Sequence, residues 1–162
     1  MEEKRYLLKH TDEIITPCLI YYKDIIEQNI KEMISVAGNA NRLWPHVKSH
    51  KMKKLVELQI KMGITRFKCA TIAEAQMVAE SGASDALVAY PLVGPNIDRF
   101  LELVKTYAGT RFWAIGDDLE QVSLLNSAAG SQETIVNFLA DHAVKEIVEP
   151  FASGKVIGSD GT

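Results

Sequence analysis

Apolar positions along this chain fall into two kinds of stretch. Short strand-like segments lie at 18–22, 44–51, 66–70, 85–90, 110–115 and 134–139, the run at 85–90 mostly apolar and the segment at 44–51 rich in His and Lys. Between them, apolar residues return every three or four positions, the period of a helix with one buried face. After the first run, Ile26, Ile30, Met33 and Val36 share a face, with Asp24 as the predicted N-cap and Glu27 completing a variant of the capping box. Leu55, Leu58, Ile60 and Met62 mark the next helix, and Gly63 stands where a closing glycine belongs. Thr71 with Glu74 forms a capping box that opens a helix over 72–80, closed by Gly82. Further helices are predicted over 97–107, after Pro91 and the Gly94-Pro95 turn, and over 119–128. The Asp117-Asp118 pair reads as a loop and N-cap.

Strand starts therefore recur about every 20 to 25 residues, the rhythm of repeated βα units rather than of a meander or a bundle. Such units build either an open doubly wound sheet or a closed barrel. No Gly-x-Gly-x-x-Gly follows a strand, so a dinucleotide crevice lacks support and the TIM-type barrel is favoured. A full barrel takes eight strands and about 250 residues. The expectation is thus an α/β fold, an incomplete (β/α) barrel of about six units over residues 1–141. A divergent tail follows over 142–162, its Val156-Ile157 run a frayed end or a small hairpin remnant. Unclosed apolar edges invite association, so a homo-oligomer is expected.

Composition narrows the function classes. At 47% hydrophobic and 24% charged, the chain suits one soluble globular domain. A net charge of −3 with both signs interspersed argues against nucleic-acid or membrane-surface partners. No signal-type apolar region or membrane-length run is visible, and Cys18 and Cys69 lack metal-ligand spacing. A reduced, cytoplasmic setting is the expectation. Cys69 reads as a small buried apolar residue rather than a nucleophile.

Candidate chemistry concentrates in Trp44-Pro45-His46-Val47-Lys48-Ser49-His50-Lys51. On a strand, His46, Lys48 and His50 would share one face, and Lys51 would point outward with opposite parity. An amine between two imidazoles suits covalent chemistry by the amine with proton movement by a neighbour. The same residues also suit a basic, solvated edge strand whose histidines are simply hydrogen-bonded.

Four elements together resemble the D-threonine aldolase and D-serine dehydratase family: Thr16-Pro17, the Pro45-His46-x-Lys48-x-His50-Lys51 motif, Ala70-Thr71-x-x-Glu74-Ala75, and Pro91 with Gly94-Pro95. The resemblance runs over about 16–141 and implies a barrel of the alanine racemase N-terminal type that binds pyridoxal 5′-phosphate. It implies Lys48 as the Schiff-base lysine, with His46 and His50 steering protons or orienting the ring. The implied substrate is a small D-β-hydroxy amino acid, and the implied activity a lyase, by aldol cleavage or dehydration. Three departures accompany it. Trp44 stands where the family usually has arginine. His142 to Glu146 replaces a Gly- and Arg-containing loop. The β-rich domain that carries a divalent-metal site in full-length relatives has no counterpart, so no metal ligand is assigned. The alternatives are a catalytically silent fragment of such an enzyme, with little or no turnover, and a cofactor-binding protein without lyase activity.

Overall fold

The structure, a computed structural model, describes residues 7–140 and 156–157. Its elements are α1 (Lys23–Ala37), α2 (Lys53–Lys61), β1 (Arg66–Cys69), α3 (Ile72–Glu80), β2 (Asp85–Val88), α4 (Asn96–Thr106), β3 (Arg111–Gly116), α5 (Leu119–Ser131), β4 (Asn137–Ala140) and β5 (Val156–Ile157), with the predicted alternation holding from β1 to β4. The five strands form one sheet in the order β1-β2-β3-β4-β5. Every pairing is parallel, as the helical crossovers from β1 to β4 require. This is the wall of a (β/α) barrel.

The pleat divides the strand residues between two environments. Phe67, Cys69, Ala86, Val88, Phe112, Ala114 and Phe138 enter the core shared with Val56, Ala75, Val78, Leu101 and Val122 of the helices. The alternate positions, Arg66 and Lys68, Asp85 and Leu87, Arg111 and Trp113, belong to the face that looks into the barrel.

Two predicted strands do not form. Residues 18–22 are extended chain without a ladder, with Leu19 82% exposed. Residues 44–51 keep a single bridge, His46 to Lys68, before the chain closes into a 3₁₀ turn over Val47–Ser49. Pro45 has no N–H to donate, and the turn removes the edge on which 18–22 would have paired. The α1 cap differs too. Tyr22 holds the N-cap position without a side-chain capping bond, and Asp24 lies inside the first turn, where a carboxylate still complements the helix dipole.

Other boundaries agree closely with expectation. Thr71 Oγ1 accepts the Glu74 N–H at 3.1 Å, and Gly82 follows α3 at φ 87°. Val156–Ile157 pairs in parallel with β4 through Phe138 and Leu139, a fifth strand rather than a hairpin. The departure at His142 to Glu146 lies outside the described residues. Among the described residues, no helix is long and apolar enough to cross a membrane.

Candidate functional site

The His/Lys motif is built by backbone bonds that its own side chains complete. The Lys68 N–H donates to the Pro45 carbonyl at 3.0 Å, docking the segment on β1. His46 Nδ1 then accepts the Lys48 N–H at 3.2 Å, and the Lys51 N–H donates to the Val47 carbonyl at 2.8 Å. His50 Nδ1 accepts the Met52 N–H at 3.1 Å, and α2 begins one residue later. Each histidine thus mimics an Asx turn, closing onto the amide two residues ahead. Val47 is fully buried beneath the turn, whereas Lys48 is exposed.

The strand parity read from the sequence therefore fails, because a 3₁₀ turn does not alternate faces. The motif residues stay together on one tight turn instead. Lys48 Nζ has no hydrogen-bond or ion-pair partner among the described residues. Lys51 is not simply outward. Its backbone adopts φ 48°, and its ammonium lies 3.4 Å from Glu74 Oε1.

Glu74 is the residue whose role in this site sequence reading missed. It is 4% exposed, and its Oε2 accepts the Ala70 N–H at 2.7 Å. Oε1 is buried with no hydrogen-bond donor among the described residues, so Lys51 meets it as a charge rather than through a well-directed bond. The capping box was a partial signal, since it folds the Glu74 side chain back over the end of β1. The link to Lys51 joins residues 23 positions apart and leaves no local pattern.

This carboxylate colours the whole cluster. Burial lowers the proton affinity of His46, aided by the Lys48 and Lys68 charges, while Glu74 opposes the shift. Burial likewise lowers His50, again against Glu74. For Cys69, burial and then Glu74 push the thiol up to about 12, so it is no nucleophile.

A second polar cluster occupies the first residues of the strands. Asp85, 1% exposed, accepts Arg111 Nη2–H at Oδ2 (3.2 Å) and Trp113 Nε1–H at Oδ1 (2.9 Å). Burial alone would raise its carboxyl. Bonds from Arg111, Trp113 and Ser84 outweigh burial and hold it below the usual aspartate range. Trp44 packs edge-to-face on Trp113, centroids 6.3 Å apart, and the Arg66 guanidinium lies 5.1 Å over the Trp44 ring. Among the described residues, no group of three or more His, Cys, Asp or Glu is arranged to hold a metal ion.

Comparison with known proteins places this geometry in context. Residues 23–140 match the family described as alanine racemase, N-terminal domain. Over 125 residues the chain is 34% identical to the 3-hydroxy-D-aspartate aldolase of Paracoccus denitrificans strain Pd 1222, covering 75% of this chain and 32% of that protein. Among solved structures, D-threonine aldolase from Filomicrobium marinum superposes with a TM-score of 0.70 at 27% identity, covering 78% of this chain and 34% of the other. A variant of D-threo-3-hydroxyaspartate dehydratase gives 0.71 at 22% identity, covering 79% and 33%, and bears on the fold alone. The chain spans about a third of the length of the relatives it matches.

Proposed function

Because the chain belongs to the alanine racemase N-terminal domain family, we propose that it binds pyridoxal 5′-phosphate through Lys48 and serves a lyase acting on small D-β-hydroxy amino acids. D-threonine aldolase-type cleavage and D-serine dehydratase-type elimination are the two candidate reactions. The observation that carries the reading is the state of Lys48. It is an exposed amine without an ion-pair partner among the described residues, on a turn that two histidines hold in shape. A nucleophilic lysine must lose a proton to react, and its flanking groups here are neutral rings rather than carboxylates. The residues therefore fit an aldehyde cofactor.

When bound, that cofactor supplies an electron sink for the pair left on the substrate's α-carbon. The chain's own residues supply position and hydrogen-bond donors. His46, with Nδ1 engaged by the Lys48 N–H, carries its proton on Nε2, which has no hydrogen-bond partner among the described residues. His50 is arranged in the same way over Met52. With the ring's one lone pair engaged at Nδ1, each Nε2–H is suited to donate a hydrogen bond to a bound anion and so orient it. Lys68, beside His46 on β1, adds a positive charge on the barrel side that favours an anionic ligand. A divalent metal belongs to the proposal only through longer relatives, since no ligand set is assigned here.

The test is covalent cofactor capture. Incubation with pyridoxal 5′-phosphate should give a visible absorbance band that Lys48→Ala abolishes. An unchanged band in Lys48→Ala would overturn the assignment. Release of glycine from D-threonine, or of pyruvate from D-serine, with Mn²⁺ or Zn²⁺ present, then separates cleavage from elimination.

A further inference from the structure

We propose that Glu74 decides which lysine of the motif is available to an aldehyde, by engaging the Lys51 ammonium and leaving Lys48 as the free amine. The proposal rests on the reading of Lys48 given above and adds the residue that makes the choice. Two lysines lie three positions apart on one turn, and chemistry alone does not distinguish them. Their surroundings do.

Lys51 Nζ is 3.4 Å from Glu74 Oε1, whereas Lys48 has no such partner among the described residues. The Glu74 side chain is 4% exposed, and Oε2 is already occupied by the Ala70 N–H. Oε1 has no hydrogen-bond donor among the described residues, so Lys51 is its compensating charge. Were Lys51 to condense with an aldehyde and swing away, a buried carboxylate oxygen would lose that compensation, at a cost that the 62% exposure of the Lys51 side chain lowers but does not remove. Lys51 also holds a left-handed backbone at φ 48°, which a lysine adopts only when its surroundings impose it. The His50 cap onto Met52 and the Lys51–Glu74 contact bracket that residue.

The competing explanation is that Glu74 merely caps α3. Glu74→Gln separates the two, because an amide oxygen still accepts the Ala70 N–H and the Thr71 bond is to the Glu74 backbone, while the charge is gone. The probe is pyridoxal 5′-phosphate followed by borohydride. The deprotonated lysine nitrogen adds to the aldehyde carbon with loss of one water. Borohydride then delivers hydride to that carbon and solvent a proton to nitrogen, leaving a stable secondary amine that peptide mass mapping locates.

The full chain should carry the adduct on Lys48 with little on Lys51. In Glu74→Gln the Lys51 share should rise about tenfold or more, the factor that loss of one charge-assisted contact represents, with the circular dichroism unchanged. A folded Glu74→Gln protein with the Lys51 share unaltered overturns the proposal and leaves the Lys48 assignment standing. A wild-type adduct on Lys51 overturns both. A second measurement needs neither the cofactor nor the variant. Trace acetylation of the wild-type protein should label Lys48 about tenfold faster than Lys51. Equal rates overturn the proposal even if Glu74→Gln does not fold.

Discussion

His46 and His50 each commit Nδ1 to a backbone N–H two residues ahead, so each ring is neutral with its proton on Nε2. Protonating Nδ1 destroys the acceptor, and burial already disfavours the charged ring. Both folded-state values lie below the ordinary 6.5, so the unfolded chain takes up protons first as the pH falls. The histidine contribution to stability is therefore complete above about pH 6.5 and is lost as the pH falls through the lower folded values. Denaturant midpoints should drop between about pH 7.5 and pH 5.5. The double substitution His46→Asn, His50→Asn should flatten that drop, because an Asn oxygen can accept the same amide without titrating. The two thiols offer a second check. Cys18 is exposed and Cys69 buried, so iodoacetamide should alkylate Cys18 in the native protein and reach Cys69 only after unfolding. At this scale the sequence singled out the His/Lys motif, but not the contacts its residues make. Lys51 and Glu74 are distant in sequence, and the parity argument assumed a strand that Pro45 and the two histidine caps prevent.

The elements differ in how local their determinants are. Helix α3 was legible to the residue, since Thr71, Glu74 and Gly82 are start and stop signals that act within one turn. The turn over Val47–Ser49 was not. Its shape depends on side chains folding back onto the backbone and on a carbonyl bond to β1, neither of which a periodicity can display. Its stability has a clear anchor in Val47, fully buried between the two histidines. Val47→Ala should cost about 2 kcal/mol, by lost burial and the cavity left behind, measured as a lower denaturant midpoint. Because the loss falls under the Lys48 turn, it should also weaken cofactor capture. If capture is unimpaired at equal destabilisation, the turn does not depend on that anchor.

Across the whole molecule, the βα rhythm predicted four of the five strands and their parallel order, because each strand's signal is its own apolar run. Contacts between strands were invisible. Trp44 meets Trp113, and Asp85 binds both Arg111 and Trp113 on the neighbouring strand. These contacts fasten β2 to β3 and bring the segment before the motif against β3. Asp85→Asn should destabilise the fold by about 1–3 kcal/mol, below the usual loss for a broken buried pair because Arg111 remains largely in solvent. The Asp85 carboxyl lies below its ordinary value. Its contribution is thus present above the unfolded value of 3.8 and disappears as the pH falls through the folded one. Acid unfolding curves of wild type and Asp85→Asn should converge at the low end, and parallel curves would assign the effect to packing.

The motif segment meets the sheet at one isolated bridge, His46 to Lys68, which includes the bond from the Lys68 N–H to the Pro45 carbonyl, whereas β2 is bonded along its length on both sides. Native-state hydrogen exchange therefore has two levels to report. The Lys68 amide should exchange whenever the segment lifts from β1, at a free energy well below global unfolding. Amides in the ladders between β2 and β3 should wait for the sheet itself to open. Two such levels would mean that Lys48, the lysine proposed for the aldehyde, rides on a unit that detaches and re-docks while the barrel wall stays intact.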